Sequence, residues 1–192
     1  NLQDLLIYLL KGISFWGTRG RNMGVQDDET DLFVAQALFA TITNANFDTD
    51  RFVDLIKRAI ELRDNLRARA QNRCNELHNS NCFGSGPDWA GWHPENYEVE
   101  TLLAKARTIG VMDDPTLDPD VRSLRELIIY GLKGMAAYAD HAYLVGGRDE
   151  SVLAFMQEAL EATTNDEMGV SELLGMVQKT GEFGIKAMAL LD

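Results

Sequence analysis

The chain has 192 residues, 45% of them hydrophobic and 25% charged, a composition able to bury one core or two small ones. Its 30 Asp and Glu against 18 Lys and Arg give a formal net charge of −12, which argues against a nucleic-acid partner or an anionic membrane surface, since both need a basic face. No apolar run approaches the roughly 18 residues of a membrane span; the longest, Leu5 to Leu10, stops at Lys11.

The first predicted helix carries Leu2, Leu5, Leu6, Leu9, Ile13 and Trp16 at three- and four-residue steps, the spacing that stacks side chains on one helical face, and Gly20 and Gly24 offer its stops. A second helix follows the cap candidates Asp27 and Asp28, buries Leu32, Phe33, Ala37 and Phe39 or their neighbours, and exits through Thr41, Thr43, Asn44 and Asn46. A third begins after Asp48, with Phe52, Leu55, Ile56, Ala59, Ile60, Leu62 and Leu66 as its apolar set. Its polar residues Arg58, Arg63, Arg67, Arg69, Glu61 and Asp64 read as a solvated surface rather than a phosphate site.

Residues 78–98 break the composition, being rich in Asn, Ser, Gly and Pro. Trp89 and Trp92 argue that this linker packs back on a bundle, because each ring has a large apolar area to bury. A short amphipathic helix, Val99 to Ile109, precedes a loop from Gly110 to Leu117. Asp118 as cap, Pro119 at the first helical position and Asp120 at the positive end of the dipole then open a helix near 120–145, followed by others near 149–164 and 171–190.

The later helices repeat the earlier ones. Leu2 to Gly12 and Leu124 to Gly134 are identical at 7 of 11 positions, including Leu5/Leu127, Tyr8/Tyr130, Lys11/Lys133 and Gly12/Gly134. The same offset of 122 pairs Gly24 with Gly146, Phe33 with Phe155 and Thr41 with Thr163; after a one-residue slip, Phe52, Ile56 and Glu61 fall opposite Leu173, Val177 and Glu182. No alternating run is long enough for a strand, so the expected fold is all-α: two repeated three-helix bundles, 1–77 and 118–192, joined by the linker region 78–117. Charge divides unequally between the parts, −1 over residues 1–77 and −11 over 78–192, a pattern that marks either a solvated surface or an acidic interface.

Chemistry is sparse. Cys74, His78 and Cys82 have soft-metal donor types in a C-x3-H-x3-C spacing, with His93 further on. On one continuing helix, however, they would spread over about 12 Å, so they read as two unrelated thiols beside a linker unless the helix ends by His78. Two cysteines make no disulfide framework and suit a reducing, cytoplasmic compartment. His141, beside Asp140 and two Tyr, has no nucleophile near it in sequence and reads as a hydrogen-bonded interhelical His. Glu126, Asp140, Glu158 and Glu161 lack the Glu-x-x-His pattern of paired-helix di-iron sites. The repeated Tyr-x-x-Lys-Gly, at Tyr8 and at Tyr130, points to packing, with each Gly where a neighbouring helix approaches closely. Gly84-Ser-Gly86 is an isolated loop tripeptide, not a phosphate loop. No catalytic, cofactor-binding or metal-ligating residue is assigned on these grounds.

Asn1 to Tyr8, Ala37 to Phe47, Val121 to Ile128, Gly131 to Ala139 with His141, and Met188 to Asp192 resemble the N-terminal helical domain of the hybrid cluster proteins, or hydroxylamine reductases. The resemblance implies two three-helix bundles. It also implies a parent enzyme that carries an iron–sulfur cluster on an upstream four-cysteine motif, and a hybrid iron–sulfur–oxygen cluster on later α/β domains. Cys74 and Cys82 match no ligand of that family, so no catalytic residue carries over. The chain, which opens at Asn1 without Met or a signal pattern, reads as an excised scaffold piece of such a reductase of hydroxylamine or nitric oxide. Its expected partners are the remaining domains, with a homo-oligomer as a further option; the competing reading is a non-enzymatic helical interaction module.

Overall fold

The computed structural model describes residues 1–44 and 47–191; Asn46, expected at the second helix's exit, lies outside them, as do Ala45 and Asp192 of the segments quoted above. Among the described residues all regular structure is helical: α1 (Leu2–Asn22), α2 (Asp28–Thr43), α3 (Thr49–His78), α4 (Val99–Ala106), α5 (Pro119–Leu144), α6 (Glu150–Ala162) and α7 (Val170–Met188). Short 3-10 turns lie at Asp88–Gly91 and Ala189–Leu191. The all-α expectation holds. None of these helices is long and apolar enough to cross a membrane.

Local chemistry explains the boundaries. Asp27 accepts from the Thr30 amide at 3.0 Å and opens α2, and Asp48 accepts from the Arg51 amide at 2.9 Å and opens α3. Asp118 takes the amides of Asp120 (2.8 Å) and Val121 (3.1 Å), so that Pro119 enters α5 where no N–H is needed. α3 ends as Asn79 turns into the left-handed region at φ 53°. The predicted helix from Val99 to Ile109 is shorter than expected: Thr108 turns its hydroxyl back onto the Lys105 carbonyl at 2.8 Å, and the chain leaves the helix after Ala106.

The chain divides into two compact units, Asn1–Thr30 with Asn46–Gly110 and Asp31–Ala45 with Val111–Asp192. The ranges 1–77, 78–117 and 118–192 describe a relation of sequence, whereas these units describe a relation of packing. In the first unit α1 lies along α3, burying Leu5, Leu6, Leu9, Leu10, Ile13 and Trp16 against Phe52, Ile56, Ala59 and Leu66. In the second, α5 packs on α7 and α6, and the body of α2 joins them: Gln36 donates to Asp140 at 3.1 Å, buried Gln157 donates to Asp31 at 2.6 Å, and Phe39 meets the His141 ring edge-on at 5.4 Å. The α5–α7 approach needs a glycine, because a Cβ on Gly131 would stand 2.8 Å from Thr180 Cγ2.

Candidate functional site

A dense polar and aromatic cluster lies in the first unit, where the linker folds onto α1 and α3. Trp16, fully buried, donates its indole N–H to the Ala90 carbonyl at 3.1 Å, and its ring meets Phe15 and Phe83 edge-on. Trp89 stands against Phe15 at 5.6 Å and Trp92 against Tyr8 at 6.2 Å, both edge-on, the arrangement that ring quadrupoles favour. Lys105 of α4 sits over both Tyr8, at 4.9 Å, and Trp92, at 5.8 Å. Gly86, at φ +70°, is pressed so closely on Trp16 that a Cβ would lie 2.6 Å from Cζ2. The linker thus packs back on a bundle, as its tryptophans predict. Burial raises the Tyr8 phenol above its ordinary value, with Arg63 opposing and Asp88 adding to the rise.

Arg63 corrects the expectation of a solvated arginine face on α3. It is fully buried and donates to the Trp92 carbonyl at 2.6 Å, to His93 Nε2 at 2.9 Å and to Asp64 at 2.8 and 3.0 Å; His93 Nε2 lies 3.2 Å from the second Asp64 oxygen. A planar fork with several donors is suited to collecting a carbonyl, a ring nitrogen and a carboxylate in one place. The signal was in the sequence: Phe52, Ile56, Ala59, Arg63, Leu66 and Ala70 follow the steps of one apolar stripe, and Arg63 stands within it. Arg58, Arg67 and Arg69 are less enclosed, pairing with Glu29 and Glu61, facing the Trp16 ring, and pairing with Asp27 respectively.

The reading of two unrelated thiols is overturned. α3 does end at His78, the left-handed Asn79 reverses the chain, and Cys82 returns to form a disulfide with Cys74, their Cα atoms 6.0 Å apart. Cys74 Sγ also accepts from the Cys82 amide at 2.9 Å. Two sulfurs bonded to each other offer no thiolates, so Cys74, His78 and Cys82 do not fit a metal or an iron–sulfur cluster, and the described residues hold no group of three or more His, Cys, Asp or Glu placed to share an ion.

The remaining candidates are dispersed. His141 Nδ1 lies 2.7 Å from the Ala137 carbonyl, and the ring's contact with Phe39 of α2 gives it the interhelical setting expected. Glu158 is taken by Lys179 at 2.6 Å. At the start of α6, partial burial tends to raise the Asp149 carboxyl, but hydrogen bonds from Ser151 and Lys186 outweigh it and hold the group down at about 2.

The two Tyr-x-x-Lys-Gly copies differ in setting. Gly12 is buried, with a built Cβ 3.3 Å from Arg63 Cδ and 3.6 Å from Ala90 Cα, so the close approach expected there is present. Gly134 is exposed, with nothing within 4 Å of such a Cβ, so there it is not. A groove of about 370 Å³ opens beside it between α5 and α7, lined by Leu127, Tyr130, Gly131, Gly134, Met135, Tyr138, Val177, Thr180, Gly181, Gly184, Ile185 and Met188.

Comparison with known proteins matches residues 1–192 to the family model described as "Prismane/CO dehydrogenase family". Similar chains include the hydroxylamine reductases of Petrotoga mobilis, 43% identical and covering 100% of this chain but 35% of that protein, and of Halothermothrix orenii, 45% identical over 100% and 34%. The hydroxylamine reductase of Desulfitobacterium hafniense is 45% identical over 100% of this chain and 33% of its own length. The chain therefore spans about a third of the length of the curated relatives it matches.

Proposed function

The chain belongs to the Prismane/CO dehydrogenase family, and from that premise we propose that it is the helical scaffold part of a longer iron–sulfur oxidoreductase that reduces hydroxylamine. The observation that carries this reading is the match of the whole chain, at 43% identity or better, to one third of proteins named hydroxylamine reductase. The site geometry supports a scaffold role: Arg63, His93 and Asp64 are spent on one another and on the linker's backbone, and both cysteines are bonded to each other. Iron–sulfur chemistry then belongs to cysteines and other ligands outside residues 1–192, and no step of the reduction is assigned to a residue of this chain. Nitric oxide is a second substrate in the same reading, as is a cytoplasmic location; the latter rests on the family, because the Cys74–Cys82 bond removes the argument from free thiols.

The test is made on the full-length protein. Anaerobically purified, it is expected to contain iron and acid-labile sulfide and to consume hydroxylamine with a reduced viologen dye as electron donor. Protein without iron and sulfide, or with both but inert toward hydroxylamine and nitric oxide, overturns the reading.

A further inference from the structure

We propose that the open α5–α7 groove is the seat of an apolar helix from the part of the longer protein outside residues 1–192, an inference that rests on the scaffold reading above. None of the residues lining the groove is charged, although a quarter of the chain is. Its walls expose large apolar side chains: Tyr130 at 78%, Ile185 at 71%, Leu127 at 51% and Met188 at 47%. A contiguous apolar surface of this kind marks an interface rather than a solvated face. Its floor is shaped for a helix: a Cβ on Gly134, Gly181 or Gly184 would meet nothing within 4 Å, so a second backbone can come close at three points.

The first unit shows what such a face accepts. At the offsets read from the sequence, Leu5, Tyr8, Gly12 and Trp16 correspond to Leu127, Tyr130, Gly134 and Tyr138, and Arg63 to Gly184. There the face is covered by a segment of its own chain, Trp89 to Trp92, and Leu5 and Trp16 are fully buried. In the second unit no described residue takes that place, and Leu127 and Tyr138 are 51% and 39% exposed. Replacement of Arg63 by Gly184 removes the donor fork that holds the Trp92 carbonyl in the first unit, so the occupant is held by apolar contact instead of polar capture. The relatives leave ample chain for such an occupant, since about two thirds of their length lies beyond the part this chain matches. A tethered segment acts at an effective concentration on the order of millimolar, which outcompetes a second copy at micromolar concentration.

Hydroxyl-radical footprinting of the full-length protein, native against urea-denatured, tests this. Labelling of Tyr130, Ile185 and Met188 is expected to be at least about tenfold slower in the native monomer. Labelling at the rate of fully exposed side chains overturns the proposal, and so does protection that vanishes when a dimer is diluted to monomer, which would make the occupant a second copy. Gly134→Leu and Gly184→Leu favour the helix and have room in this chain, so their expected effect is confined to expelling the occupant: faster labelling of Tyr130 and a lower Tm of the full-length protein. Unchanged labelling and Tm in both variants overturn it as well. Iron and sulfide measured on the same sample separate the two readings, because cluster-containing protein with an unprotected groove sinks this inference alone.

Discussion

Tyr8 to Gly12 and Tyr130 to Gly134 share four of five residues and the same helical register, yet one copy is enclosed and the other is bare. Over the first lie Ala90, Trp92, Lys105 and the buried Arg63; over the second lies nothing within reach of Gly134. The identical residues specify a helix and the angle at which its face is presented, since they set period and propensity. Whether that face becomes core depends on partners outside the motif. The two faces are therefore expected to answer the same substitution with different costs.

The largest contrast is at the paired positions 16 and 138. Trp16→Ala should cost about 3–5 kcal/mol of stability, the range for a buried Trp that leaves a cavity. Tyr138→Ala, at a side chain 39% exposed, should cost about 1 kcal/mol or less in residues 1–192 alone; urea midpoints measure both, and equal costs would break the comparison. Next comes Arg63→Ala, which strands the Trp92 carbonyl and the Asp64 carboxylate. A loss of about 3 kcal/mol is expected, with faster proteolytic nicking in residues 79–98 as the local readout.

Cys82→Ser opens the short loop closed by the disulfide and should lower stability by about 2–3 kcal/mol on the chain-entropy account. Dithiothreitol should bring the parent protein down to the variant and leave the variant unmoved; insensitivity of both would show that the linker is held by its aromatic contacts alone. The smallest effect is at the start of α6. The folded Asp149 carboxyl, at about 2, lies below its ordinary 3.8, so its contribution is present above pH 4 and is lost as pH falls through 2. Lys186→Met should narrow that window, seen as a weaker dependence of Tm on pH between 4 and 2.

The helices were legible because their apolar positions recur at helical steps and because Asp27, Asp48 and Asp118 precede them as caps; all three side chains take amide hydrogens of the helices they open. The folding back of residues 78–98 was legible from Trp89 and Trp92. The disulfide was not, since spacing along an unbroken helix separates Cys74 from Cys82, and only a left-handed Asn79 reunites them; no local rule demands that conformation of an Asn. The burial of Arg63 is not legible from its charge, which ordinarily marks a solvated position, and only its place within the apolar stripe points to it. The unequal surroundings of Gly12 and Gly134 could not be inferred from identical motifs at all.

The grouping of α2 with later helices bears on how the chain matures during synthesis. α2 buries Val34, Ala35, Ala37 and Leu38 completely, and its side-chain partners Asp140, His141 and Gln157 are made about a hundred residues afterwards. α1, α3 and the linker can settle once residue 110 has left the ribosome. At about 5–20 residues per second, α2 then waits several seconds with its apolar side unmatched, which makes it the segment where a chaperone would be expected to bind the nascent chain.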